Sequence, residues 1–246
     1  MHLNCWRNSR FAVKLLKFKA MRLTAQQKRL IERIVNVFET GTVEGNYGAI
    51  AIFNDGPNNI EQITYGRSQT TEYGNLRTLI QKYVALNGSF SKKFKPFVDK
   101  IGKSALTDNE EFKDLLKRAG KEDLVMRKTQ DAFFDEKYFQ PAIKWAKDNG
   151  FILALSALVI YDSFIHSGGI LGDIRKMYPE VTPTRGGNEI EWTTAYVNAR
   201  NKWLSEHFRE AVRKTTYRTK CFKNEIDRGN WVLGIVPVLA NGVKVS

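Results

Sequence analysis

Cysteine, histidine and long apolar runs are scarce in this 246-residue chain, and each shortage excludes a class of protein. Its two cysteines, Cys5 and Cys221, cannot build a disulfide framework or a four-cysteine zinc site, and its three histidines are scattered. The sequence has no HExxH motif and no glycine-rich phosphate loop, so we expect neither a metal nor another cofactor. The apolar run over 151–161 is too short to span a membrane and predicts a buried helix.

Acidic residues are outnumbered by basic ones, which gives the chain a formal net charge of +13. A basic balance is typical of proteins that bind nucleic acid or an anionic surface, and it also aids solubility. Residues 1–22 contain six basic residues and no acid, but lysines interrupt their apolar part, so they make a poor secretory signal. We predict a basic tail over 1–22 and a single two-lobed domain over 23–246.

Helix-forming patterns dominate the rest of the chain. Thr24 and Gln27 form a capping box ahead of an apolar stripe with helical spacing, and Gly41 is a natural helix end. Residues 47–53 and 60–66 resemble two strands joined by the turn NDGPNN. Further helices are predicted at about 73–86, 92–101, 108–118, 122–149 with a division at Pro141, 151–166, 188–212 and 217–228, before an irregular end over 231–246. The fold class is therefore α+β and mainly α, with a small antiparallel sheet.

Two carboxylates on either side of the first predicted strand differ in their expected surroundings. Glu39 falls in the last turn of the first helix, where the helix dipole and apolar neighbours disfavour its charge and raise its pKa. Asp55 falls in a turn, where backbone amides and water keep a carboxylate ionised. One protonated and one ionised carboxyl group is the pattern of an acid–base pair in glycoside hydrolysis. For each residue taken alone, an ordinary surface or turn side chain is the preferred interpretation.

The segment around this pair is acidic although the chain is basic. From Glu39 to Glu72 the sequence holds five acids and a single base, Arg67. A cleft that binds a cationic polymer would need such a segment, whereas a nucleic-acid groove would need the reverse. Candidate substrate-binding residues in this segment are Glu44, Glu61 and Glu72, with Tyr47 and Tyr65 as candidates for stacking on sugars.

Asp162 is predicted to be buried, because the helix that carries it is apolar nearly all round. A buried carboxylate must be paired, and Arg185 and Arg200 are candidate partners. The pair can be purely structural, or it can orient a catalytic carboxylate. His166, on the same helix, is expected to be a structural histidine.

Seven short segments in order give the chain a wider resemblance from about residue 24 onward. They are VFET, NDG, TTEYGNL, FFDEKYFQPAIKWAKDNG, ALVIYDSFIHSGG, TRGGNE and YVNAR. In this order they resemble the family-46 chitosanases of the lysozyme-like group. The resemblance implies a lysozyme-like two-lobed fold with the small sheet beside the cleft. It also implies an extracellular, monomeric enzyme that hydrolyses internal β-1,4 links between glucosamine units of chitosan with inversion.

The resemblance also implies roles for individual residues. Glu39 matches the family's general acid and Asp55 its general base. Asp162, Arg185 and Arg200 match a network that supports the acid, and Glu72 matches a substrate-binding acid. The chain departs from the family after Asp55: a water-holding threonine is replaced by Ile60 or Glu61, and Pro57 and Asn58 replace an arginine and a glycine.

Two other interpretations remain open at the level of sequence. A peptidoglycan muramidase would use the same two carboxylates, and the basic remainder of the chain suits an anionic cell wall. The other is a non-catalytic module. A nucleic-acid-binding module would use the basic tail and helices and would give Glu39 and Asp55 no common role, whereas a lysozyme-like scaffold that binds sugar without cleaving it would fit the missing threonine. The acidic segment favours the amino-sugar polymer, since a ligand in a cleft experiences the local charge.

Overall fold

The computed structural model describes residues 21–67 and 69–246, so most of the predicted basic tail lies outside the described residues. Met21, at the start of the described chain, is buried in the core. The helices are α1 (Ala25–Thr40), α2 (Leu76–Ala85), α3 (Ser91–Val98), α4 (Glu110–Glu122), α5 (Leu124–Phe134), α6 (Gln140–Asp148), α7 (Ala154–Ser167), α8 (Gly172–Arg175), α9 (Glu189–Ser205), α10 (Glu210–Arg213) and α11 (Tyr217–Asp227). The strands are β1 (Ile50–Phe53), β2 (Gln62–Tyr65), β3 (Thr70–Thr71), β4 (Val238–Ala240) and β5 (Val243–Val245). The prediction of a mainly helical fold with a small antiparallel sheet is confirmed.

Helix α1 forms where its capping residues predict it. The Thr24 hydroxyl accepts a hydrogen bond from the Gln27 amide, and the Gln27 side chain accepts one from the Thr24 amide. The helix ends at Gly41, which adopts a left-handed conformation with φ of 73° and donates to the Val37 carbonyl. This ending places Glu39 in the last helical turn.

Strands β1, β2 and β3 form an antiparallel sheet in that order. Ile50 pairs with Tyr65 and Phe53 with Gln62, so the connection between β1 and β2 spans residues 54–61. A single 3-10 turn, Pro57–Asn59, lies in this connection, and Asn58 has a positive φ of 57° that asparagine tolerates better than most residues. The connection therefore projects the turn that carries Asp55 beyond the end of the sheet.

Two separate apolar cores divide the described chain into two lobes. One core draws on residues from Ile63 to Phe134, and we call β1–β3 with α2–α5 the sheet lobe. The other draws on α1, α6 to α9, α11, β4 and β5; these elements, with the short helix α10, make up what we call the helical lobe. Tyr138 packs against both cores and lies in a π-helical turn, Asp135–Phe139, between α5 and α6. The lobes are thus joined through a nearly continuous helix.

Several details differ from the sequence prediction, among them the break near Pro141 and the end of the chain. The break expected at Pro141 is instead a π-helical turn before it, because Pro141 sits in the first turn of α6, where its missing N–H costs little. The end of the chain, predicted to be irregular, contains the hairpin β4–β5. Its turn is Asn241–Gly242, both with positive φ, which is a strong hairpin signal between alternating apolar residues. None of the described helices is both long enough and apolar enough to cross a membrane.

Candidate active site

Glu39 lies at the end of α1 with its side chain only 10% exposed. Its Oε1 accepts a hydrogen bond of 2.7 Å from Nη2 of Arg218, on α11. The Arg218 guanidinium also lies over the Phe38 ring, and its Nη2 is 3.4 Å from the Phe38 carbonyl oxygen. Arg218 therefore holds both the side chain of Glu39 and the carbonyl end of the helix that presents it.

Asp162 lies behind this contact and is fully buried on α7. Its Oδ1 accepts from Nη1 of Arg218 and its Oδ2 from Nη1 of Arg200, both at 2.6 Å. Four charged side chains thus alternate in sign in the order Arg200, Asp162, Arg218, Glu39. Buried charges are tolerated only when paired in this way, since an isolated buried ion is very costly.

Burial and pairing set the protonation of the two carboxyl groups in opposite directions. Burial raises the pKa of Glu39, and the positive charge of Arg218 only partly offsets this effect. Burial also acts to raise the pKa of Asp162, but Arg218 and Arg200 together outweigh it and lower that pKa. Glu39 therefore holds a proton to higher pH than an ordinary glutamate, while Asp162 stays ionised.

The predicted partners of Asp162 are half correct. Arg200 is paired with Asp162, but Arg185 is not: it lies exposed in the 3-10 turn Pro183–Arg185. Arg218 takes the second position, because α11 packs on α7 and α9 and turns this side chain inward. Arg218 is absent from the residues predicted from the sequence, although a signal for it exists. It precedes the buried Cys221 and Phe222 by three and four residues, so it lies on the buried face of its helix.

His166 lies one turn after Asp162 on α7. Burial, with added repulsion from Arg218 and Arg200, lowers its pKa to about 3. The imidazole is therefore neutral across the ordinary pH range and adds no charge beside the four paired residues from Arg200 to Glu39.

Asp55 is exposed in the turn between β1 and β2. Its Oδ1 accepts a hydrogen bond of 2.8 Å from the Gln62 side chain. The Gly56 amide, next in the chain, bonds the Ile60 carbonyl and closes the turn. Asp55 is thus presented on a short, backbone-closed turn, and Gln62 is a second site residue that the sequence did not predict.

Two predicted substrate-binding residues face the protein interior. Glu72 is 1% exposed and accepts hydrogen bonds from the amides of Ile63 and Leu106, which ties β2 to the loop before α4. Tyr65 is fully buried in the core of the sheet lobe. Strand β2 is covered on both faces, so the prediction that Tyr65 stacks on sugar is wrong. Glu72, which follows β3, is buried with both oxygens bound to backbone amides, so it does not face a substrate in this structure.

Glu44 and Tyr47 line a polar cavity of about 710 Å³ at the junction of the lobes. Glu44 is ion-paired with Arg33 of α1, and the Tyr47 hydroxyl donates to Asp131 of α5. The residues that line this cavity include neither Glu39 nor Asp55. Glu61 alone among the five candidates is exposed without a side-chain partner in the described chain. The acidic segment therefore contributes fewer free carboxylates than its sequence suggests.

The fold and these side chains together define a class of enzyme. A glycoside hydrolase needs two carboxyl groups in different surroundings, and the chain has a buried one with a raised pKa at a helix end and an exposed one on the turn after the first strand. Residues 33–236 match the sequence profile of Glycosyl hydrolase family 46, and the chain belongs to that family.

Named relatives agree with this assignment. The chain is 28% identical over 192 residues to a chitosanase of Bacillus subtilis, a match that covers 72% of this chain and 67% of the relative. It is 32% identical over 158 residues to a chitosanase of a Streptomyces species, covering 57% of this chain and 56% of the relative. A structure of a family-46 chitosanase from Gynuella sunshinyii, in complex with chitotetraose, superposes with a TM-score of 0.76 at 26% identity, covering 91% of this chain and 98% of the other.

Proposed function

We propose that this glycoside hydrolase cleaves β-1,4 links between glucosamine units inside chitosan chains, with inversion at the anomeric carbon. Glu39 is the general acid and Asp55 the general base. The observation that carries the proposal is the buried carboxyl of Glu39, held at a helix end by Arg218 with its pKa raised by burial. Membership of family 46, and relatives that are themselves chitosanases, support the choice of substrate.

Glu39 would protonate the glycosidic oxygen as the bond to the leaving sugar breaks. A general acid works best when it still holds its proton near the working pH, and burial provides this condition. After the transfer, the new carboxylate is stabilised by Arg218, which already donates to Oε1. Arg218 thus stabilises Glu39 after the proton has left. Before that step, burial still keeps the pKa of Glu39 raised, so the carboxyl group holds its proton.

Asp55 would take a proton from the water that attacks the opposite face of the sugar. An inverting site needs its two carboxyl groups about 6.5–9.5 Å apart, so that a sugar and a water fit between them. An exposed, backbone-closed turn gives Asp55 access to both water and substrate.

The substrate brings one ammonium group per glucosamine unit, and a protein of net charge +13 would repel such a polymer at long range. Attraction must therefore come from carboxylates near the reacting bond. Asp55 and Glu61, both exposed, are the acids of the Glu39–Glu72 segment that remain available for this contact. The extracellular location and the monomeric state expected from the resemblance stay predictions.

Product analysis by proton NMR tests the proposal. The enzyme is added to soluble glucosamine oligomers, and the anomer formed first is followed before mutarotation. We expect α-anomers, and loss of at least about a hundredfold in rate for Glu39→Gln and for Asp55→Asn. Purified peptidoglycan serves as the second substrate, so that release of reducing ends from it, and not from chitosan, would favour a muramidase. Full activity in either variant would refute the role assigned to that residue.

A further inference from the structure

Gln62 makes the side-chain contact to Asp55. It is the first residue of β2, it pairs with Phe53, and only 5% of its surface is exposed. Its Nε2 donates to Asp55 Oδ1 at 2.8 Å, while its Oε1 accepts a hydrogen bond of 3.2 Å from the Tyr73 amide. The side chain therefore links the turn that carries Asp55 to the segment just after β3.

The orientation of the Gln62 amide follows from these two contacts. A backbone N–H can only donate, so the atom that meets Tyr73 must be the carbonyl oxygen of the side chain. The amino group is then left to face Asp55, where it meets a carboxylate that accepts. Reversing the amide would place two donors together at Tyr73 and two acceptors together at Asp55, so one orientation is strongly favoured.

Tyr73 also braces the turn directly. A β-carbon added at Gly56 would lie 3.4 Å from the Tyr73 ring and 2.8 Å from the Ile60 carbonyl oxygen. The residue after Asp55 therefore packs closely on the same segment that anchors Gln62. An exposed aspartate on a turn would otherwise exchange among rotamers, and fixing it removes that freedom before the reaction.

We propose that Gln62 is the positioning residue for the base: it holds one oxygen of Asp55 and leaves the other free to take the proton of the attacking water. This role rests on the proposed function of Asp55 as general base and goes beyond it, since it assigns the second contact that the base needs. Gln62 itself stays under the turn and does not touch the sugar, so its loss should reduce turnover more than substrate affinity.

Two variants separate positioning from support of the fold. Gln62→Glu keeps an oxygen for the Tyr73 amide but replaces the donor to Asp55 with a second carboxylate, whereas Gln62→Met loses both contacts without adding a charge. Asn59→Asp adds one negative charge to the same exposed turn without a contact to Gln62 and serves as the matched control for charge. Each variant is assayed on soluble glucosamine oligomers at neutral pH beside Asp55→Asn, with kcat, KM and Tm measured for each.

We expect kcat to fall by about tenfold to a hundredfold in both Gln62 variants, with KM changed by no more than about twofold, since a hydrogen bond to a charged group has been lost. Gln62→Met should also lower Tm, and Asn59→Asp should keep the parent's kcat. A Gln62→Glu variant with parental kcat, in a background where Asp55→Asn is inactive, would overturn the positioning role alone. An active Asp55→Asn would overturn the role of the base and the positioning role with it.

Discussion

The guanidinium of Arg218 binds Glu39 with one nitrogen and Asp162 with the other, at 2.7 and 2.6 Å. Arg200, on the far side of Asp162, donates a hydrogen bond to its other carboxylate oxygen. Of these four side chains, Arg200 and Asp162 are fully buried and Arg218 is nearly so, which leaves Glu39, at 10% exposed, as the member nearest to solvent. Protons can therefore exchange with solvent or substrate at Glu39, while the charges behind it remain fixed.

The raised pKa of Glu39 predicts that the residue weakens the fold as pH rises. Unfolded glutamate ionises at its ordinary pKa, whereas the buried carboxyl resists ionisation, so the folded state binds more protons in the interval between the two values. Stability is then lost as pH rises through that interval, and below it both states are protonated. We expect Glu39→Gln to match the parent's free energy of unfolding at acid pH and to exceed it at neutral pH.

Urea denaturation of the two proteins across a pH series measures this difference. Glu206→Gln, at an exposed position after α9, is the matched control and should follow the parent at every pH. The kcat of the parent should fall on the alkaline side as Glu39 loses its proton. A difference between Glu39→Gln and the parent that shrinks with rising pH would contradict the assignment.

Arg218→Lys should disturb both stability and the pH profile. A single ammonium cannot reproduce the two separate donations of the guanidinium to Glu39 and Asp162. Losing a partner in a buried ion pair costs about 3–5 kcal/mol when the charge is removed, and we expect a smaller loss in this variant because a charge is kept. Since Arg218 lowers the pKa of Glu39, its weaker substitute should move the alkaline limb of activity to higher pH.

Arg185→Lys is the matched control for that experiment. Arg185 is exposed, so its variant should keep the parent's Tm and pH profile. If Arg185→Lys shifted the alkaline limb and Arg218→Lys did not, Arg218 would not be the residue that sets the protonation of Glu39.

Local signals predict the elements that present the site, but not the contacts between them. The capping box and Gly41 define the ends of α1 and hence the position of Glu39, and the turn after β1 places Asp55. The apolar character of α7 likewise predicts the burial of Asp162. Each of these predictions depends on residues within a few positions of one another.

The partners come from distant parts of the chain. Arg218 and Glu39 are 179 positions apart, and no local pattern states which buried arginine meets which carboxylate. The family resemblance predicts that Glu72 binds substrate. In the structure Glu72 is buried and accepts a hydrogen bond from the amide of Leu106, which is 34 residues away in the sequence. Long-range packing determines which arginine meets which buried carboxylate. The sequence can therefore supply candidate residues for an ion pair without showing which of them are in contact.

Gly56→Ala tests whether the shape of the Asp55 turn matters for catalysis. The added β-carbon would come within 2.8 Å of the Ile60 carbonyl oxygen, so the turn must shift. Overpacking of this kind costs about 1–3 kcal/mol, and we expect kcat to fall because Asp55 moves with the turn. Gly234→Ala is the control, since its β-carbon would meet only a Val232 methyl group at 3.6 Å. Parental kcat in Gly56→Ala would mean that the turn tolerates movement.

Glu72→Gln and Glu61→Gln form a pair that separates support of the fold from contact with substrate. Both oxygens of Glu72 accept from backbone amides, of Ile63 and of Leu106, and glutamine offers one oxygen for these two donors. One amide would then face a second donor, which costs about 1–3 kcal/mol. Glu61 is exposed and lies with Asp55 in the connection between β1 and β2. Its substitution by glutamine therefore removes only a negative charge near Asp55.

Thermal unfolding and steady-state kinetics on glucosamine oligomers distinguish the two roles. We expect Glu72→Gln to lower Tm with KM near the parental value, because the carboxylate is sealed from solvent. Glu61→Gln should keep Tm and raise KM, and the increase should diminish as salt screens the ammonium groups of the substrate. A rise in KM for Glu72→Gln at unchanged Tm would instead return that residue to the substrate-binding surface, and the loop before α4, whose Leu106 amide binds Glu72, would then have to open for the polymer to reach it.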